Sequence, residues 1–192
     1  MKILIITATD FELEKNQFSK HEVLISGIGI LETALKLTKK LTSNKYDLVI
    51  NTGIAGSFNK DIKIGDVVEV TEDILSEIGY EENENFFEFK SFFVPNKFTV
   101  DSKTDLLKVK SITVNTVSGN IDSINKIKKR LNPDIETMEG AAIFRVCNDF
   151  DIPCIQIRSI SNIVGERNKK DWNIDLAVKN LNLSLKNIIN SL

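Results

Sequence analysis

Cysteine and histidine are scarce in this chain, and their scarcity argues against a bound metal. The 192 residues include two cysteines, Cys147 and Cys154, and a single histidine, His21. The cysteines form no CxxC pair, and His21 is far from both in the sequence. A zinc site takes about four nitrogen, sulfur or oxygen ligands. The sequence therefore predicts no metal and no cofactor, and two reduced, buried cysteines as in a cytoplasmic protein.

An excess of one charge and a long apolar run are also missing. The chain has 25 lysines and arginines against 27 acids, a formal net charge of -2, and the lysines are interleaved with acids. No basic field indicates a nucleic acid or an anionic membrane as partner. The first apolar run is too short for a signal peptide, and no run approaches the roughly 20 residues of a membrane span. We expect a cytoplasmic protein with no nucleic-acid or membrane partner.

Strand-like and helix-like segments alternate along the chain and predict an α/β fold. Apolar, β-branched runs without alternation are typical of strands buried on both faces. We expect a single domain over residues 1–192, a three-layer α/β/α arrangement around a central mixed, largely parallel twisted sheet. The predicted strands are 2–8, 21–29, 46–58, 65–74, 111–119 and 154–162, and the predicted helices are 32–43, 120–131, 138–150 and 173–192.

Three predicted strands end in glycines, in the stretches SGIG, NTGIAGS and TVSGN. Glycine allows a ligand to approach the backbone closely, and ligands of α/β folds gather at the carboxyl ends of strands. Neither a GxGxxG nor a GxxxxGK[ST] motif is present, so neither a dinucleotide site nor a P-loop is supported. The three strand ends together predict a pocket.

Four polar residues near these strand ends are candidates for chemistry, each with a structural alternative. Glu12, in TATDFELE, is either a general base or an acid that favours a helix start. Glu139 precedes the apolar helical run AAIF, where acids usually complement the helix dipole. Arg158 lies inside an apolar strand and needs a carboxylate partner, for which Glu139 is a candidate. Asn162 either contacts a ligand or caps a turn.

The stretches TATDFELE, SGIG, NTGIAG, GDVVEV, TMEGAAIFRVC and IRSISN follow one another along nearly the whole chain. In this order they resemble the purine nucleoside phosphorylase/nucleosidase superfamily, and MEGAA followed by a strand ending in IRSISN is similar to the nucleosidase branch. Within it, ETMEGAA, GIAGSF and ISNIVGERNKKDWNI look most like the futalosine hydrolases. That resemblance implies a nucleoside phosphorylase-like fold and hydrolysis of futalosine to hypoxanthine in menaquinone biosynthesis.

The resemblance also implies roles for individual residues. Glu12 activates the attacking water, Glu139 accepts hydrogen bonds from the ribose hydroxyls, and Asn162 binds the purine edge as the third catalytic residue. The implied substrate-binding residues are Thr9, Ile28, Ala55, Gly56, Met138, Arg158 and Ser161. A homodimer or larger homo-oligomer is implied as well, with residues 86–93 either in the interface, where aromatics are enriched, or in the core.

Asn162 stands where related nucleosidases have an aspartate, and its amide cannot give up a proton. It can accept from N7–H and donate to O6 of a 6-oxopurine such as hypoxanthine. A flipped amide would instead donate to N7 and accept from the 6-amino group of adenine. Methylthioadenosine, S-adenosylhomocysteine and inosine therefore remain alternative substrates, and a purine-nucleoside binding protein without catalysis remains an alternative function.

The first strand end carries acids and no arginine, so a phosphate dianion would be repelled and water is the expected nucleophile. Two features of the family pattern lack an obvious residue. An aromatic ring to stack on the base is missing after Gly119, and Phe92, Phe93 or Phe98 either replaces it or packs in the core. Arg167 is the candidate for the carboxylated arm of futalosine, or else a solvated loop arginine.

Overall fold

The computed structural model of the chain describes residues 1–83, 85–89 and 94–192. Within these residues the chain forms ten strands and four α-helices. The strands are β1 (Ile3–Thr7), β2 (Glu22–Ile25), β3 (Leu48–Ser57), β4 (Val67–Leu75), β5 (Tyr80–Glu82), β6 (Asn85–Phe87), β7 (Lys97–Thr99), β8 (Leu107–Thr113), β9 (Ile135–Thr137) and β10 (Cys154–Ile163). The helices are α1 (Ile30–Ser43), α2 (Ile121–Leu131), α3 (Gly140–Asp149) and α4 (Ile174–Ser191).

A mixed sheet of eight strands forms the centre, as the sequence predicts. Its order is β10-β4-β8-β9-β3-β1-β2, and β7 pairs with β4. Strand β3 is parallel to β1 and β10 and antiparallel to β9. Because β10 pairs with both β4 and β3, the strands β10, β4, β8, β9 and β3 close into a ring. The ring brings the ends of β3, β9 and β10 side by side, which the order of the strands along the chain does not reveal.

Helices cover the sheet on both faces, so the predicted three-layer arrangement is confirmed. In β1, Leu4 and Ile6 pack in a cluster with side chains of α1 and α3, whereas Ile3 and Ile5 pack in a cluster with α4. Successive side chains of a strand point to opposite faces, and here both faces are buried. The α4 residues Ala177, Leu181, Leu185 and Ile188 are all buried, as their spacing predicts, and Ile174 is half-buried.

Helix α1 forms where leucines recur at helical spacing, but its buried face is narrower than the leucines suggest. Leu37 and Leu41 are buried with Thr33, whereas Leu31 and Leu35 are 70% and 60% exposed. Two large apolar side chains on the first turns of α1 therefore face solvent in the single chain.

The region of residues 77–95 contains a two-stranded hairpin, β5–β6, that its irregular sequence does not predict. Tyr80 and Phe87 stack at 5.5 Å between ring centroids on this hairpin. Phe98 lies in β7 and packs against the core, so it is not a stacking residue for a pocket. Phe92 and Phe93 lie outside the described residues. In the described residues no helix is both long and apolar enough to span a membrane.

Candidate active site

A cavity of about 330 Å³ opens at the carboxyl ends of β1, β3 and β10, beside the start of α3. Its walls come from distant parts of the sequence, because parallel strands deliver their carboxyl ends to one edge of the sheet. The resemblance gives ten residues a catalytic or substrate-binding role, and nine of them line the cavity: Thr9, Glu12, Ile28, Ala55, Gly56, Met138, Glu139, Ser161 and Asn162. The predicted pocket therefore forms.

Glu12 ends a short 3-10 turn, Asp10–Glu12, that directly follows β1. One carboxylate oxygen, Oε2, accepts hydrogen bonds from Thr7 Oγ1 at 3.0 Å, the Thr9 backbone N–H at 2.9 Å and Thr9 Oγ1 at 2.8 Å. The other, Oε1, accepts from the backbone N–H of Ile54 at 3.2 Å. Four donors from β1, its turn and β3 hold a carboxylate at the pocket wall, which suits a base that must keep one orientation.

Glu139 is the N-cap residue of α3. Its side chain does not cap the helix; Oε1 accepts from the backbone N–H of Gly29, just before α1, at 2.8 Å. Burial raises the pKa of Glu139, the Gly29 N–H and the Arg158 charge act in the opposite direction, and the neighbouring Glu12 charge adds to the rise. Two carboxylates therefore influence each other electrostatically across one cavity.

Arg158 is the one predicted site residue that does not line the pocket. It is 2% exposed, and its Nη1 donates to Asn51 Oδ1 at 3.2 Å and to the Ile157 carbonyl at 3.1 Å. Among the described residues it forms no direct ion pair; its charge acts through space on Glu139 first and then on Glu12. Its position beneath the carboxylates makes it an electrostatic support rather than a substrate contact.

A buried chain of hydrogen bonds leads from Arg158 away from the pocket. Asn51 Nδ2 donates to Gln156 Oε1 at 2.7 Å, and Gln156 Nε2 donates to Asp73 Oδ2 at 2.8 Å. Thr113 Oγ1 donates to Asp73 Oδ1 at 2.8 Å and accepts from the Ala141 backbone N–H. The donors of Arg158, Asn51 and Gln156 run from the cation to Asp73, and Thr113 donates to Asp73 from the other side, so the hydrogen bonds fix the orientation of both amides.

Asn162 follows an irregularity in β10, where the register to β3 shifts between Ile160 and Asn162. Its Oδ1 accepts from Ser161 Oγ at 2.8 Å, and Ser161 Oγ also lies 3.2 Å from the Ala55 carbonyl. With Oδ1 engaged by Ser161, the Nδ2 group faces the space over Gly56, 3.2 Å from where a Cβ of that glycine would lie. A side chain at Gly56 would fill this part of the pocket.

The sequence did not single out Glu136, which also lines the pocket. It is 5% exposed, and its two carboxylate oxygens lie 3.1 and 3.3 Å from the Ser118 backbone nitrogen, which donates to them. Burial raises the pKa of Glu136, and the hydrogen bonds from Ser118 oppose that rise. Strand β9 has only three residues, so no alternation in the sequence marks Glu136 as facing a cavity.

The aromatic and cationic parts of the wall come from Phe11 and from the loop after β10. Phe11 is 58% exposed at the pocket mouth. Arg167 and Trp172 both line the cavity, and the guanidinium carbon of Arg167 lies 5.6 Å from the centroid of the Trp172 ring. Trp172 thus offers an aromatic surface that the sequence did not point to. Arg167, the candidate for a carboxylated arm, lies at the pocket wall as that role requires.

Neither thiols nor metal ligands gather at this site. Cys147 and Cys154 are buried free thiols, as predicted, and they lie away from the pocket wall. In the part of the chain that the structure describes, no three or more histidine, cysteine, aspartate or glutamate side chains are grouped to hold a metal ion.

The family of the chain follows from a match over almost its whole length. A family model described as the phosphorylase superfamily matches residues 7–191. The chain belongs to this superfamily, whose fold the sheet and its helices share. It is an enzyme, and the curated relatives it matches are named nucleosidases.

Among those relatives is the 5′-methylthioadenosine/S-adenosylhomocysteine nucleosidase of Bacillus thuringiensis subsp. konkukian, 31% identical over a match covering 83% of this chain and 76% of the relative. A nucleosidase of the same name from Colwellia psychrerythraea, solved with adenine, superposes with a TM-score of 0.84 at 22% identity, covering 100% of this chain and 96% of that one. Futalosine hydrolase of Helicobacter pylori superposes with a TM-score of 0.85 at 17% identity, covering 100% and 98%. These two structures share the fold.

Proposed function

We propose that the chain hydrolyses the N-glycosidic bond of a purine nucleoside. The observation that carries the proposal is the pair Glu12 and Glu139, two carboxylates that face one cavity and act on each other electrostatically. Breaking this bond passes through a sugar with oxocarbenium character. Carboxylates placed beside the developing positive charge stabilise that transition state.

Glu12 accepts the proton of the attacking water, because four hydrogen bonds hold its carboxylate ready as an acceptor. Glu139 accepts hydrogen bonds from the ribose hydroxyls, and Met138 packs against the sugar. Thr9 and Ile28 contact the sugar side of the nucleoside, while Ala55, Gly56, Ser161 and Asn162 contact the base. Arg158 supports both carboxylates from below.

Water, rather than phosphate, is the nucleophile. Among the pocket-lining residues that the structure describes, four are glutamates and the one cation is Arg167. Arg167 lies on the loop after β10, beyond the strand that carries Asn162, and not at the end of β1 where Glu12 is held. A phosphate dianion beside Glu12 would meet like charge without a compensating cation.

For the substrate we propose futalosine, a nucleoside of the 6-oxopurine hypoxanthine, and hence a place in menaquinone biosynthesis. The resemblance of ETMEGAA, GIAGSF and ISNIVGERNKKDWNI supports it. So does the Asn162 amide, whose Nδ2 faces the base end of the pocket and suits O6 as an acceptor. Arg167 is the proposed partner of the carboxylated arm.

Methylthioadenosine or S-adenosylhomocysteine is the second candidate substrate, favoured by the 31% identical relative that bears both names. Offering futalosine, inosine and methylthioadenosine at equal concentration separates the two by kcat/KM. We expect futalosine to be consumed first. A higher kcat/KM for methylthioadenosine would mean that Asn162 binds a 6-aminopurine. Tight binding of a nucleoside that is not cleaved, measured by calorimetry, would indicate a binding protein.

We also propose a homo-oligomer in the cytoplasm. Exposed apolar side chains support the assembly: Leu31 and Leu35 lie one turn apart on α1, and Ile28 precedes them at the pocket. A second exposed group consists of Tyr80 and Phe87 on the hairpin β5–β6 and Phe89 just after it. Contiguous exposed apolar residues are typical of surfaces that contact another chain.

A further inference from the structure

The proposed hydrolysis needs a proton donor for the departing base, and the pocket's amide is not one. When the bond from C1′ to N9 breaks, its electron pair moves into the purine, which then needs a proton on a ring nitrogen. Asn162 donates hydrogen bonds but cannot transfer a proton. Glu12 is occupied as the acceptor for water, and Glu139 as the ribose contact, so the proton comes either from solvent or from another side chain of the pocket.

Glu136 lies beside Asn162 at the base end of the pocket. In the sheet, Gly56 of β3 is the partner of Asn162 on one side and of Glu136 on the other. Partner residues on adjacent strands project to the same face, and neighbouring strands lie about 4.8 Å apart. Asn162 Nδ2 lies 3.2 Å and Glu136 Cγ 3.5 Å from the place where a Cβ of Gly56 would lie. Val164 Cγ2 lies 3.0 Å from the same place, so the amide, the carboxyl and this methyl group together surround the space that Gly56 leaves open.

Glu12 lines the same cavity as this pair, nearer the start of β3. Glu12 Oε1 accepts from Ile54 and lies 3.0 Å from where a Cβ of Gly53 would lie. Gly56 is three residues further along β3, about 10 Å at roughly 3.3 Å per residue, and its Cβ would point to the opposite face of the strand from that of Gly53. Glu12, Glu136 and Asn162 nevertheless line one cavity, because that cavity lies beyond the end of the strand and is open to both faces. A nucleoside with its sugar at Glu12 and Glu139 would bring the far edge of its base to Asn162 and Glu136.

The surroundings of Glu136 suit a carboxyl that holds a proton. It is 5% exposed, and among the described residues no cation pairs with it. Burial without a paired cation favours the neutral form, as in buried acids that donate protons to leaving groups. The fourth glutamate of the pocket, Glu166, is exposed on the loop after β10 and lacks this environment.

We propose that Glu136 is the general acid of the reaction and gives its proton to a ring nitrogen of the departing purine. The proposal rests on the proposed nucleosidase function. As the bond from C1′ to N9 breaks, the water oxygen bonds to C1′, the water proton passes to Glu12, and the Glu136 proton passes to the base. Between turnovers Glu12 releases its proton to solvent and Glu136 takes one up, so atoms and charges balance.

The test compares two leaving groups in wild type and Glu136→Gln. Glutamine keeps the size of Glu136 and one oxygen that can accept from the Ser118 N–H, but it has no acidic proton to transfer. On the best purine nucleoside of the wild type we expect kcat to fall about 10²- to 10⁴-fold. On 4-nitrophenyl β-ribofuranoside, whose leaving group departs without a proton, we expect less than about a tenfold loss on the same basis. Glu81→Gln, an exposed glutamate of β5, is the matched control, expected to equal the wild type with both substrates.

Equal losses on both substrates would overturn the proposal, because a merely structural role slows both reactions alike. Wild-type rates of Glu136→Gln on the purine nucleoside would overturn it too, and would leave the nucleosidase function intact. A wild type that releases no base from any purine nucleoside would contradict the proposed function itself. Thermal unfolding of the variant, expected to match the wild type, separates loss of chemistry from loss of fold.

Discussion

Glu12 and Glu139 come from segments more than a hundred residues apart and face one cavity. Glu12 is set by four hydrogen bonds from β1, its turn and β3, and Glu139 by the Gly29 N–H just before α1. Glutamate is common on protein surfaces, but two glutamates fixed at one cavity can stabilise a positively charged transition state there. At this scale, function depends on where each charge is fixed rather than on how many charges are present.

Replacing Glu12 by glutamine keeps most of its contacts but removes the proton acceptor for water. We expect kcat for nucleoside hydrolysis to fall by about two to four powers of ten, the usual worth of a positioned base. Asp10→Asn is the control, because Asp10 lies two residues away with a side chain 74% exposed and pairs with Lys15 at the surface. Steady-state kinetics of the two variants check it, and a wild-type rate in Glu12→Gln would remove Glu12 from the mechanism.

The sequence could indicate Glu12, Glu139 and Asn162 because each follows or precedes a recognisable element and belongs to a family motif. It could not indicate Glu136, whose role depends on lateral pairing with Gly56 in a strand of three residues. Arg158 was recognisable as a buried charge in need of partners. Its exclusion from the pocket depends on the amide chain below it, which only the tertiary structure brings together.

The elements around the site are joined by the buried chain from Arg158 to Asp73, which links β10, β3, β4, β8 and the start of α3. Burial raises the pKa of Asp73 to about 6 from 3.8, and hydrogen bonds from Gln156 and Thr113 and the Arg158 charge oppose the rise. A raised pKa means that the folded state binds the proton more tightly. The stabilisation from this proton is therefore complete below about pH 4 and is lost as the pH rises past about 6.

Asp73→Asn removes the titrating carboxyl. The difference in unfolding free energy between wild type and this variant therefore isolates the contribution of the Asp73 proton. We expect the wild-type free energy of unfolding, relative to Asp73→Asn, to fall by on the order of 3 kcal/mol between pH 4 and pH 7. Urea unfolding at both pH values measures the difference. A relative stability that does not change with pH would show that Asp73 has the same pKa folded and unfolded.

Gly140 begins α3, and there the helix packs directly on the hydrogen-bonded residues that run from Arg158 to Asp73. A Cβ there would overlap Asp73 Oδ2 and Gln156 Oε1, both buried. We expect Gly140→Ala to destabilise the fold by about 1–3 kcal/mol, the usual range for overpacking. Gly119→Ala is the control, since its Cβ would meet only Arg167 Cβ at 3.6 Å. Thermal or urea unfolding compares the two variants. Equal stabilities would contradict the prediction, because they would mean that Asp73 and Gln156 move aside for the Cβ without loss of stability.

Long apolar elements could be predicted from the sequence, and short ones could not. Strands β1, β3 and β10 are buried on both faces and are recognisable as continuous β-branched runs. Strands β5, β6 and β9 have three residues each, too few for a period to be visible. The glycine-bearing stretches predicted a pocket because strand ends meet at one edge of the sheet. The prediction that TVSGN ends a strand was wrong, because β8 ends at Thr113, six residues before Gly119.

For the whole molecule, the sequence predicts the class and the three layers, because helix and strand periods alternate along the chain. It does not predict that β10 pairs with both β3 and β4 and closes a ring, since pairing partners depend on contacts between distant segments. The net charge of -2 gives the molecule as a whole no strong long-range field to attract a charged ligand. Binding of a nucleoside is therefore left to the cavity itself.

The exposed leucines of α1 lead to a prediction for the assembled molecule. We expect light scattering at micromolar concentration to give at least twice the 21.6 kDa of one chain. Leu35→Glu should shift the mass towards that of one chain, because it buries a charge in an apolar contact. Phe87→Glu on the hairpin is the comparison that decides between the two exposed apolar groups. A wild-type mass of one chain would contradict the homo-oligomer.

The measurement that tests the central claim most directly is release of free base in phosphate-free buffer. The purified chain is incubated with futalosine, inosine and methylthioadenosine separately, and the base and sugar products are separated by chromatography. We predict hypoxanthine and a free sugar from futalosine, at a rate that added phosphate does not change. No base from any of the three, or base only when phosphate is present and then with a sugar phosphate, would contradict hydrolysis at this site.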